Sequence, residues 1–241
     1  MLNLAHRGFK SRFPENTKIA FLKAIDVGAD GVEFDVHLTK DRQVVIIHDE
    51  TLDRTSDGKG LVKNHTLKEL KRLNMAKCYE NIEPQEILTL REYFELIKDV
   101  DFITNIELKN SIIEYPDIEK EVNEIIKEFN AQRRVIISSF NHESVIKFKN
   151  LNENIKCGLL EASKLYKPWE YMKNMGIEYY HPLGYLVDEE LIYNLNQEGI
   201  LVNPWFGSED FDYSKIINLG INAIITDYPN KIRLLIENKE I

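Results

Sequence analysis

Apolar residues along this chain gather in short, β-branched runs separated by longer amphipathic stretches. The runs Leu2–His6, Val32–His37, Val44–His48, Phe102–Leu108, Val135–Ser139, Lys156–Leu160, Glu178–His181, Ile200–Asn203 and Ala223–Thr226 predict nine strands. Helical spacing of apolar positions falls between most of them, for example over Lys18–Val27, Ile118–Phe129, Glu143–Asn150, Glu189–Glu198 and Tyr213–Leu219. Such alternation predicts a mostly parallel sheet with helices outside it. The link Thr39–Gln43 is too short for a parallel crossover, which needs about a dozen residues. Val44–His48 is therefore expected to fold back as an antiparallel hairpin arm on the second strand. Eight strands remain, the number that closes a (β/α)₈ TIM barrel in a chain of 241 residues. An open doubly wound sheet is the competitor, but the first βα turn, HRGFKSRFPEN, lacks the glycine spacing of a dinucleotide loop.

Neither a Pro/Gly/Ser-rich linker nor a charge block interrupts the alternation, so residues 1–241 are expected to form a single domain. One stretch breaks the rhythm. From Asp49 to Leu88 the chain runs on where a barrel would have a short connection. A turn signal at Ser56–Gly60 and a short helical pattern at Leu67–Leu73 mark it as an insertion (residues 49–88) over one end of the barrel. A lid role is expected for it, with shortening of Ser56–Asn64 altering substrate ranking more than thermal stability.

Composition narrows the field. A net charge of −9, from 31 basic and 40 acidic residues, argues against a nucleic-acid surface while leaving room for a small basic pocket. Two cysteines, Cys78 and Cys157, give neither a disulfide framework nor metal-ligand spacing. With no membrane span and no apolar leader in MLNLAHRGFKS, a cytoplasmic location is expected. Self-association into a homo-oligomer is left open.

Barrel chemistry lies at the C-terminal ends of the strands, and polar residues collect there. Strand one ends in His6-Arg7, and strand two carries Glu33 and Asp35 on one face. The hairpin arm ends in His48-Asp49, and strand three carries Glu107 and Lys109 on one face. Singly, each has a bland reading: a solvated acid, a core histidine, or an Arg7 paired with Glu15 or Asp35. Together at one mouth they do not. Three carboxylates without cysteine suit one hard divalent ion, Mg²⁺ or Ca²⁺. Arg7 can grip a phosphate through two N–H groups and Lys109 can neutralise it. His6 and His48 remain to move protons, His48 being the expected acid. His37, His65, His142 and His181 lack such company, and packing is expected for His181.

These residues form a familiar series. HRG at the N-terminus, PENT at Pro14–Thr17, GADGVEFDVHLTKD at Gly28–Asp41 and VVIIHDETLDRT at Val44–Thr55 resemble the glycerophosphodiester phosphodiesterase family. The resemblance continues in order through ILTLREYFELI, NIELKN, VIISSFNH, CGLLE, YYHPLG and INAIITDYPN. It implies a metal-dependent TIM barrel that cleaves small-molecule glycerophosphodiesters to sn-glycerol 3-phosphate and an alcohol. It implies metal binding by Glu33, Asp35 and Glu107, acid/base catalysis by His6 and His48, and phosphate contact from Arg7 and Lys109. The chain departs from the family after strand seven, where LVNPWFGSED replaces the usual Trp-Thr-Val-Asn run. Trp205 is expected to keep the tryptophan's place near the substrate. An exposed apolar rim on residues 49–88 would favour larger, lysophospholipid-type diesters.

Overall fold

The computed structural model describes residues 1–207 and 211–238; positions 208–210 of the departing LVNPWFGSED run and the last three residues lie outside that range. Its strands are β1 (Leu2–His6), β2 (Gly31–Leu38), β3 (Val44–Ile46), β4 (Leu88–Thr89), β5 (Ile103–Leu108), β6 (Val135–Ser139), β7 (Lys156–Glu161), β8 (Tyr179–Pro182), β9 (Leu201–Val202), β10 (Trp205–Phe206) and β11 (Ala223–Thr226). Its α-helices are α1 (Lys18–Asp26), α2 (Leu67–Leu70), α3 (Leu90–Leu96), α4 (Ile118–Glu128), α5 (His142–Leu151), α6 (Pro168–Met175), α7 (Glu189–Gln197), α8 (Ser214–Ile217) and α9 (Pro229–Glu237). The order β10-β11-β1-β2-β5-β6-β7-β8-β9 is parallel throughout.

The ring closes through its seventh strand, which is broken. β9 pairs with β8, β10 pairs with β11, and only Asn203-Pro204 separates the two pieces. Pro204 has no N–H to give a ladder, yet its carbonyl still accepts from the Ile225 amide at 2.9 Å. A parallel bridge from Leu183 to Trp205 completes the closure. The (β/α)₈ barrel is thus the fold.

Two faces of each strand bury different things. Outward side chains such as Phe34, Val36, Ile106 and Ile137 pack with the helices in the main core. Leu4, Ala223 and Ile225 form a separate cluster with Leu2, Ile103 and Trp205, filling the barrel interior. Gly31 makes that filling possible, because a Cβ there would meet the Ile103 carbonyl oxygen at 2.3 Å and the Leu4 side chain at 2.7 Å.

The hairpin arm is present but shorter than expected. β3 runs antiparallel to β2, pairing Val36 with Ile46 and Leu38 with Val44, and on its other side takes up β4. Residues 49–87, between these strands, carry their own apolar core. Leu52, Val62, Leu70, Met75 and Ile87 are buried there with Val45 and Ile47 of the arm. Thr66 caps α2 through the Glu69 amide, and Glu69 returns a bond to the Thr66 amide. The expected helix over Tyr213–Leu219 shrinks to the four residues of α8. Asn218-Leu219-Gly220, with Gly220 at φ +82, turns the chain into β11 instead.

Candidate active site

The HRG and PENT motifs build the first corner of the mouth. Arg7 and Asn16 both adopt left-handed backbone, φ 55 and φ 59, a conformation concentrated at functional sites when the residue is not glycine. Gly8 follows at φ +82, and a Cβ there would lie 2.8 Å from the Ala20 backbone. Thr17 caps α1 by accepting from the Ala20 amide, while its hydroxyl donates to the Pro14 carbonyl at 2.6 Å. Asn16 donates to Asp35 Oδ2 at 3.1 Å, and Glu15 accepts from Arg7 Nη1 at 2.9 Å. PENT is a bracket for the neighbours of Arg7.

Strand register places the acids. β2 sets Glu33 beside His6 of β1 and Asn105 of β5, and Asp35 beside Glu107. Glu33, Asp35 and Glu107 are buried, and one ligand oxygen from each lies within 4.8 Å of the others. Burial, then Asp35 and Glu107, raises Glu33 well above its ordinary range. Burial pushes Glu107 up to about 7 against the pull of Lys109. Asp35 goes the other way: despite burial, Arg7 and Lys109 hold it well below the usual carboxylate range.

Positive groups stand close. Lys109 Nζ is 2.9 Å from Glu107 Oε1 and 3.5 Å from Asp35 Oδ1, and Arg7 Nε is 3.4 Å from Asp35 Oδ2. Both bland pairings foreseen for Arg7 therefore exist. They do not exhaust the site, because Glu33 Oε2, Asp35 Oδ1 and Arg7 Nε are buried without a hydrogen-bond partner. Unfilled oxygens on buried carboxylates are what a missing cation would satisfy. All three donors are hard oxygens, which fits Mg²⁺ or Ca²⁺.

His6 and His48 have matching settings. His6 Nδ1 lies 2.6 Å from Asp227 Oδ1, and His48 Nδ1 lies 2.6 Å from Asp49 Oδ1. Each carboxylate accepts the Nδ1 hydrogen and leaves Nε2 as the working nitrogen. Burial, then Arg7, lowers His6 to about 4, and burial also lowers His48. His6 Nε2 faces Glu33 Oε2 at 3.8 Å, and His48 Nε2 lies 3.1 Å from Lys109 Nζ.

His6, Arg7, Glu33, His48, Glu107 and Lys109 line one cavity of about 90 Å³. Its remaining wall is apolar: Phe140, Leu160, Ile225 and Trp205. Phe140 and Trp205 meet edge-to-face, centroids 6.1 Å apart, and Trp205 Nε1 is buried without a partner. So Trp205 does reach the mouth, across the break at Pro204. No large apolar residue of 49–88 is exposed; Ile112, Phe140, Tyr166 and Tyr185, after β5, β6, β7 and β8, are exposed instead.

The other histidines stay apart. His181 is fully buried beneath Gly158, its Nε2 3.1 Å from Asn203 Nδ2. His37 bonds Tyr115 Oη and the His48 carbonyl. Sequence reading missed Asp227 and Asn16 as site partners. Asp227 stands just past the end of β11, where an acid in a barrel is itself a signal.

With this geometry in hand, the comparisons are direct. A model of the Glycerophosphoryl diester phosphodiesterase family matches residues 6–231. The chain is 44% identical over 232 residues to a glycerophosphodiester phosphodiesterase of Caldanaerobacter subterraneus subsp. tengcongensis, covering 96% of each. A phosphodiesterase of Oleispira antarctica, solved in complex with the product sn-glycerol-3-phosphate, superposes with a TM-score of 0.85 at 29% identity, covering 98% of this chain and 97% of that one. A structure from Silicibacter pomeroyi shares the fold at TM-score 0.89 and 20% identity, covering 98% of this chain and 93% of that one. Among the described residues, no helix is long and apolar enough to cross a membrane.

Proposed function

The chain belongs to the glycerophosphoryl diester phosphodiesterase family, and on that footing we propose that it hydrolyses glycerophosphodiesters to sn-glycerol 3-phosphate and an alcohol in a metal-dependent, two-histidine reaction. One observation carries the reading: three buried carboxylates within 4.8 Å of one another share a cavity with two carboxylate-backed imidazoles. Glu33, Asp35 and Glu107 would hold the ion. When bound there, a divalent cation supplies charge neutralisation and polarises a phosphoryl oxygen.

The protein's own groups do the rest. Arg7 and Lys109 line the cavity and bind the phosphate, Arg7 through its fork and Lys109 as a point charge. A lysine ammonium only donates, so the His48 Nε2 facing Lys109 is a bare acceptor. His48 is therefore the base, taking a proton from water or from the substrate's glycerol 2-hydroxyl. His6 is the acid, delivering a proton from Nε2 to the leaving alkoxide. This reverses the assignment expected from sequence order, which could not place Lys109 against His48. Phe140 and Trp205 shelter the organic part of the substrate.

Residues 1–241 act as one catalytic domain in this reading. Both cysteines are free thiols, which fits a reducing cytoplasm. Turnover of glycerophosphocholine, with product identification and an EDTA arm, tests the proposal. Release of choline and glycerol 3-phosphate that stops with EDTA and returns with Mg²⁺ or Ca²⁺ is the expected result. Absence of turnover with either metal overturns it.

A further inference from the structure

We propose that Arg54, carried by the inserted segment, is a positioning residue: its guanidinium locks the Asp49–His48 and Glu15–Arg7 pairs into one frame across the mouth. This rests on the functional reading above, in which His48 and Arg7 act on substrate.

The geometry is unusually complete. Arg54 Nε donates to Asp49 Oδ2 at 2.7 Å and Nη2 to Asp49 Oδ1 at 2.9 Å. Nη1 donates to Glu15 Oε2 at 2.8 Å and Nη2 to Glu15 Oε1 at 2.8 Å. Four of the five guanidinium hydrogens are thus spent as two forks on two acids. Each acid is already committed to the site, Asp49 to His48 Nδ1 at 2.6 Å and Glu15 to Arg7 Nη1 at 2.9 Å.

An isolated pair on a side chain 48% exposed would be worth little. Here the acceptors are what matter. The Glu15 side chain is only 9% exposed, and Asp49, the residue after His48, has nothing else to fix its plane. The backbone of Arg54 is held in turn by the far side of the insertion. Cys78 Sγ donates to the Arg54 carbonyl at 3.8 Å, and Lys77 Nζ donates to the neighbouring Asp53 carbonyl. Without Arg54, Asp49 can rotate about its bond to His48, and the imidazole loses its aim at the reacting proton. Displacements of about 1 Å at such a centre cost on the order of 10²-fold in rate.

The test compares Arg54→Ala and Arg54→Lys in two backgrounds, wild type and His48→Ala, on glycerophosphocholine with saturating metal. In the wild-type background Arg54→Ala should lower kcat by about 10–100-fold with KM changed far less. Arg54→Lys should recover only part, because one ammonium cannot span both acids. In the His48→Ala background neither change should cost more than about twofold, since the imidazole they position is gone. Equal losses in both backgrounds, or a kcat within about twofold of wild type, overturn the positioning role. If Arg54→Ala does not fold, as judged by its thermal midpoint, the same cycle is read from Arg54→Lys. A wild-type protein inactive on all diesters would sink the functional reading instead, so the two failures separate.

Discussion

Asp35 on β2 and Glu107 on β5 are register partners in adjacent parallel strands, both buried. Two carboxylates side by side in a barrel interior repel each other unless a cation joins them, and Glu33 adds a third. Asp35→Asn or Glu107→Gln should therefore weaken Mg²⁺ or Ca²⁺ binding by at least about tenfold, read by calorimetric titration of the metal alone. Normal affinity in both variants would place the ion elsewhere.

The two imidazoles differ in their partners, and a leaving group can tell them apart. His6→Ala and His48→Ala should each lower kcat on glycerophosphocholine by roughly 10²–10⁴-fold. A nitrophenyl ester leaves without help from an acid, so it should rescue His6→Ala and not His48→Ala. Equal rescue of both, or rescue of His48→Ala alone, contradicts the assigned roles.

Val62 and Ser56 are fully buried in the small core of the insertion, and Leu52 packs with Val62 there. Deleting 56–64 therefore strikes stability, contrary to the expectation from sequence that substrate ranking would change more. Leu52→Ala should cost about 2–5 kcal/mol, measured as a fall in the denaturant midpoint. A loss below about 1 kcal/mol would mean that the insertion does not fold as part of the barrel.

His181 offers a pH test away from the site. Burial lowers it to about 3, so the folded protein keeps it neutral where the unfolded chain, with a pKa near 6.5, takes up a proton. Its share of stability is complete above about pH 6.5 and is lost as pH falls toward 3, by about 1.4 kcal/mol per unit. His181→Gln, which can still accept from Asn203, should flatten the stability slope between pH 6 and 4 by about that amount. Parallel wild-type and variant curves would show that His181 titrates in the fold as it does unfolded.

Much of this was legible before any coordinates. Leu2–His6, Val135–Ser139 and Ala223–Thr226 coincide with observed strands because buried parallel strands are continuous apolar runs. The turn Thr39–Gln43 announced the hairpin arm for a reason of reach alone. The seventh strand was harder: a single run, Ile200–Asn203, hid two short pieces joined at Pro204, and only closure against both β8 and β11 reveals them as one strand. The acids, Arg7 and Lys109 could be placed from strand ends. Their partners could not, since His6 and Asp227 are 221 residues apart and nothing local links them. Nor could the base be told from the acid, which depends on a 3.1 Å contact between residues 61 apart.

That long-range pairing has a temporal side. β1 lies between β2 and β11, and His6 receives its carboxylate from the residue immediately after β11. At about 5–20 residues per second, a growing chain exposes His6 long before Asp227 is made. His6 waits for its carboxylate through the synthesis of the rest of the barrel. Catalytic competence then arrives all at once, as the closing strand docks, so a nascent or C-terminally clipped polypeptide is inert toward the diesters around it.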